Sequence, residues 1–130
     1  MDELVRWLGV QLDEDERIAR AAGGSWRELS GNWVAVAAEP SPEPAHRVAL
    51  VLVTEERAHI VRHDPARVLR EVDAKRRILG EVVPEIDGME SRIDGEWGAG
   101  DPTERESSRL LRLLALPYAD RPGYREEWRP

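Results

Sequence analysis

The sequence predicts an α+β fold: an N-terminal helix, a small antiparallel sheet of about three strands, a central helical pair, and a C-terminal helix closed by an aromatic tail. Three observations lead there. Apolar residues recur at helical spacing from Asp2 to Ala22 and again from Pro65 to Val83. Between these stretches the period shortens, and β-branched and aromatic residues flank turn formers. Aspartate precedes proline at Asp64-Pro65 and Asp101-Pro102, a pairing that starts helices because proline at the first helical position loses no hydrogen bond. A chain of 130 residues suits one domain that buries about two thirds of its unfolded surface, so residues 1–130 are expected to form a single domain.

Leu4, Trp7, Leu8, Leu12, Ile18 and Ala22 fall on one side of the first helix, with Asp2 available as its cap and Gly23-Gly24 as its end. Asp15 lies inside that apolar arc, so it either meets an arginine or marks a break near "LDEDE". "SWRELSGNWVAVAAE" then reads as a hairpin turning at Ser30-Gly31-Asn32. "EPSPEP", with three prolines, cannot pair in a ladder and is read as a connection. "HRVALVLVT" is a continuous apolar run, the pattern of a strand covered on both faces.

A short helix is expected from Thr54 to about Arg62, followed by a second from Pro65 to Val83 with Asp64 as its cap. Val68, Leu69, Val72, Leu79, Val82 and Val83 share one arc of that second helix, and Pro84 ends it. "PEIDGMESRIDGEWGAG" is polar and glycine-rich, which predicts a flexible loop at about 84–101 carrying Trp97. Asp101, with Glu104 placed for a capping box, opens a last helix whose "LLRLLAL" is apolar nearly all round and belongs in the core. Tyr118, Tyr124 and Trp128 in the tail are expected to dock on the body.

Composition narrows the function classes. No cysteine is present, which removes disulfides, thiolate metal sites and thiol catalysis. A net charge of -7 argues against nucleic acid as a general partner. No apolar run has the roughly 18 residues of a membrane span, and "MDELVRWLGVQLDEDER" lacks the order of a secretory signal, so the expected location is cytoplasmic. The basic residues are all arginine except Lys75, and phenylalanine is absent, which reads as the coding bias of a GC-rich genome. No serine sits in a nucleophile elbow, no glycine-rich loop is placed to hold phosphate, and no carboxylate pair stands out; an enzyme is not expected, and no catalytic residue or cofactor is implied.

Two constellations remain, both within "AHIVRHDPARVLREVDAKRRIL". His59 and His63 are four residues apart, as in helical zinc sites, but Ile60, Val61 and Arg62 between them supply no glutamate, and neither His46 nor Asp64 is demanded as a third ligand by spacing. Arg67, Arg70 and Arg77 share the exposed side of the 65–83 helix and suggest a helix-turn-helix. Glu71, Asp73 and Glu81 stand at helical reach of them, however, and such a lattice neutralises itself. Arg76 lies within the apolar arc, where it snorkels or meets a carboxylate such as Asp15, while Ile78 projects to the polar side and suggests, with the three arginines, a partner surface.

Together with "LDEDER" at Leu12–Arg17 and "LRLLALPYADRPGYREEWRP" at Leu111–Pro130, that block resembles a family of small actinobacterial and actinophage proteins described as a domain of unknown function. The resemblance implies a cytoplasmic protein with a phage or mobile-element connection and carries over no activity, cofactor or catalytic residue. The expected function is that of a non-enzymatic accessory protein acting through protein-protein contact with an unknown partner, or as a homodimer through the 65–83 helix. A small DNA-binding regulator using that helix and a histidine-based metal-binding protein are the alternatives.

Overall fold

A computed structural model of the chain describes residues 1–37 and 46–130. "EPSPEP" lies outside the described residues. The predicted fold class holds. Helix α1 (Asp2–Ala22) is followed by strands β1 (Ser25–Leu29), β2 (Trp33–Ala37) and β3 (Arg47–Leu50), then helices α2 (Thr54–Arg62), α3 (Pro65–Arg77), α4 (Val83–Trp97) and α5 (Glu106–Ala115). The contacts gather into two compact units: Met1–Asp13 with Asp73–Pro130, and Glu14–Val72.

In the Glu14–Val72 unit the three strands form an antiparallel sheet in the order β1-β2-β3. Leu29 pairs with Trp33 across the predicted turn, where Gly31 and Asn32 both take positive φ, of 82° and 68°. Val34 and Ala35 of the central strand are buried. The apolar run after His46 behaves differently from its prediction. Only Arg47–Leu50 is strand, it occupies an edge, and Val48, Leu50, Leu52 and Val53 are all exposed. A continuous apolar run signals a covered strand only when other layers cover both of its faces, and here Val48 and Leu50 stay exposed.

Two side chains tie this unit together. Asp64 caps α3 by accepting from the Arg67 amide at 2.9 Å, and its other oxygen accepts from the Trp26 amide of β1 at 3.0 Å. The neighbouring backbone adds a bond from the Ala66 amide to the Gly24 carbonyl, at 3.2 Å. Arg57 of α2 donates to Glu28 of β1 at 2.9 Å, to the Asn32 side chain of the turn at 3.2 Å, and to the Val51 carbonyl after β3 at 2.7 Å. One guanidinium thus joins a helix to a strand, its turn and the end of the edge strand, a geometry only a planar fork of donors allows.

The second unit is built on Leu4, Val83, Leu111 and Ala115, with Val5, Trp7, Ile78, Leu79, Leu110, Tyr124 and Trp128 packed against them. The tail docks as predicted. Trp7, Tyr124 and Trp128 form a triangle with ring centroids 5.5 to 5.9 Å apart, and the Trp7 indole N–H donates to the Pro122 carbonyl at 3.1 Å. Gly123, at φ 86°, passes so close to Trp7 that a Cβ there would lie 2.8 Å from the indole nitrogen. Lys75 donates to the Tyr118 hydroxyl at 2.9 Å, and Arg76 meets Asp13 of α1 at 2.6 Å. Helix α1 runs unbroken through "LDEDE".

Two expectations fail here for one reason. Residues Ile78–Val82 form a π turn, with the Val83 amide bonded to the Ile78 carbonyl, and α4 continues directly from it. The predicted loop is therefore mostly helix, to Trp97. Proline stops an α-helix because its ring clashes with the carbonyl four residues back and it has no N–H to offer. The wider π turn just before Pro84 relieves both demands, so Pro84 sits in the first turn of α4. Ile78, predicted on the polar side, packs against the core cluster.

The start of α5 departs from prediction as well. Asp101 accepts from the Thr103 amide at 2.9 Å and hydroxyl at 2.8 Å, but it heads a 3₁₀ turn at Pro102–Glu104. The cap of α5 comes from α4: the Glu90 carboxylate accepts from the Glu106 amide at 2.7 Å and from the Ser107 amide at 3.0 Å. Nor is α5 buried all round. It covers Ser107, Ser108, Leu111 and Ala115 and leaves Leu113 exposed.

Removing either shared carboxylate has a predictable cost. Asp64→Ala should lower the unfolding free energy by about 1–2 kcal/mol in urea titrations, since it orphans two amides, and Asp64→Asn should recover part because its amide oxygen still accepts one bond. At Glu90, burial raises the carboxyl pKa, but hydrogen bonds from Ser107 and Glu106, with the charge of Arg105, outweigh it and hold the group below the ordinary glutamate range. The unfolded chain then binds the proton first. The stabilisation by Glu90 is complete above the ordinary glutamate pKa and disappears as pH falls through the depressed folded value. Thermal melts of wild type and Glu90→Gln should differ by about 1 kcal/mol at neutral pH and converge in acid; a gap that persists in acid would refute the cap.

Candidate functional site

The region singled out by sequence is the helical pair α2–α3, and its geometry separates the candidate residues. His59 and His63 stack, with ring centroids 4.1 Å apart. Nδ1 of His63 lies 2.8 Å from the His59 carbonyl. A carbonyl only accepts, so Nδ1 carries the proton and is lost as a ligand, leaving Nε2. No group of three or more His, Asp or Glu side chains is placed to hold a metal among the described residues. The stacked pair reads as one turn of helix closed by a side chain-to-backbone bond.

The arginines divide. Arg67 lies against Glu71 at 2.8 Å and also donates to the Arg62 carbonyl at 3.1 Å; Arg77 meets Glu81 at 3.6 Å. These are the i to i+4 pairs that the spacing predicts. Arg70 is exposed and makes no ion pair among the described residues. Of the four residues expected to share a partner surface, Arg67, Arg70 and Arg77 carry charge outward, and Ile78 does not belong with them. The apolar arc predicted for the 65–83 stretch is turned inward except at its end: Val72 and Val83 are buried and Val68, Leu69 and Leu79 half-buried, while Val82 is exposed.

Apolar surface is exposed elsewhere. In the Glu14–Val72 unit, Val48, Leu50, Leu52 and Val53 are exposed, and a shallow groove is lined by Val51, Glu55, Glu56, His59 and Ile60. In the other unit, α4 exposes Met89, Ile93 and Trp97, with Arg92 and Glu96 beside them. The first surface stands in the sequence as the unbroken run after His46. The second is hidden if Pro84 is taken as a terminator, although the spacing of Ile86, Met89, Ile93 and Trp97 is helical. Arg105 completes the picture of α4: it reaches Asp87 at 3.6 Å, Asp94 at 3.5 Å and the Ser91 hydroxyl at 3.0 Å. Nothing in either surface assembles a nucleophile with a base.

No helix is long and apolar enough to cross a membrane among the described residues. No curated protein and no solved structure matches the chain. One family model matches residues 1–130, so the chain belongs to the family described as a family of unknown function, DUF6221.

Proposed function

We propose that the protein is a non-enzymatic accessory protein that works by contact with another protein. The observation that carries this reading is the exposed edge strand β3 with its continuation, Val48 to Val53, beside a groove whose rim holds Glu55 and Glu56. An edge offers unpaired backbone donors and acceptors, and natural sheets guard such edges with charge or proline when nothing binds there. Here alternate positions are apolar instead. The occupant that fits is an extended segment of a partner protein that adds a strand to β3, with basic side chains set against the two glutamates, which make no ion pair among the described residues. A cytoplasmic setting and the phage or mobile-element connection implied by the sequence resemblance belong to the same proposal.

Pull-down from extracts of the source organism, comparing wild type with Leu50→Glu/Leu52→Glu, tests this. A protein retained by the wild type and lost from the double variant is the expected result; equal capture by both, or capture by neither, rejects the edge. For the DNA-binding reading, the pairing of Arg67 and Arg77 with Glu71 and Glu81 leaves little charge for phosphate. Gel shifts with duplex DNA should show no complex even at low salt, and a salt-dependent shift abolished by Arg70→Ala would reverse that preference.

A further inference from the structure

We propose that α4 is a self-association surface, on which a second copy of this chain packs its own α4 antiparallel. The proposal rests on the contact-protein reading above and names one partner for a different face. Val82, Met89, Ile93 and Trp97 are 41%, 43%, 57% and 82% exposed, and Ile86 is half-buried among them. Val82, Ile86, Met89 and Ile93 follow the alternation of four and three residues that defines a helix-packing seam, and Trp97 lies at its edge, four residues beyond Ile93. The neighbouring flank of the same helix is already engaged, through Glu90 on the α5 terminus and Asp87 and Asp94 on Arg105.

Charge selects the occupant. Glu85 and Arg92 stand seven residues apart on one flank of the seam, and neither makes an ion pair among the described residues. When two such helices pack antiparallel about a two-fold axis near residues 87 and 88, Ile86 of each meets Met89 of the other and Val82 meets Ile93. The same register sets Glu85 of each copy against Arg92 of its mate, twice by symmetry. A parallel arrangement would set like charges side by side. The seam is short: α4 has 15 residues, or roughly 22 Å of helix, which falls below a standard stable interface and implies a reversible, concentration-dependent dimer.

Sedimentation equilibrium of the full chain, from about 10 μM to about 1 mM, is the test, because an interface this small dissociates in that range. Wild type should pass from monomer to dimer. Arg92→Glu and Glu85→Arg should each weaken association by about tenfold or more, and the double swap Glu85→Arg/Arg92→Glu should restore it, since only the mutual pairing is conserved. Ile93→Glu should abolish it; all three sites are surface positions, and unchanged circular dichroism confirms folding. A wild type that stays monomeric, or a dimer indifferent to these changes, overturns the proposal. A monomer that still captures its partner through β3 would leave the contact reading standing, so the two failures are distinguishable.

Discussion

The Asp64 carboxylate is the constraint on which the Glu14–Val72 unit depends. One oxygen closes the first turn of α3 and the other receives the Trp26 amide near the start of β1. A cap normally satisfies an orphan donor of its own helix and nothing more. Here it also sets where the sheet begins relative to that helix, because two bonds to one rigid carboxylate leave little freedom between their donors. Arg57 then repeats the device with opposite charge, joining α2 to both ends of the sheet's first turn. A three-stranded sheet with few buried residues is near the lower limit of independent stability, and these two side chains supply directional contacts where apolar burial is thin.

Much of the fold could be read from residue order, because it rests on local signals. Gly23-Gly24, Ser30-Gly31-Asn32 and Asp64-Pro65 each act within a few residues of themselves, and each lies where it was expected. The failures share a different character. Pro84 terminates a helix only if the backbone before it keeps the α period, and the π turn at Ile78–Val82 breaks that condition. No local residue announces such a turn. The Glu90 cap of α5 was invisible for another reason: its donors lie 16 and 17 residues away in sequence. The candidate residues fared likewise. The pairing of Arg67 and Arg77 was legible from spacing, whereas the stacking of His59 on His63 and the exposure of β3 depended on what other layers did or did not cover.

Helix α4 inverts the usual logic of an amphipathic helix, and that inversion bears on function. Its polar side chains face the rest of its unit, with Glu90 on the α5 amides and Asp87 and Asp94 on Arg105, while Met89, Ile93 and Trp97 face out. Burial of its outer apolar residues therefore contributes nothing to holding the helix in place; capping and ion pairing do that, with Val83 as its buried anchor. A charged and hydrogen-bonded inner flank positions a helix by direction rather than by area, which leaves the exposed residues beside it without that structural duty. Apolar side chains retained on a face with no structural duty lower solubility unless something covers them. The same reasoning applies to β3 and its continuation, where the side chains of Leu50 and Leu52 are exposed. In both units part of the apolar surface is left over once the fold is built, and such surface suits contact with other polypeptides.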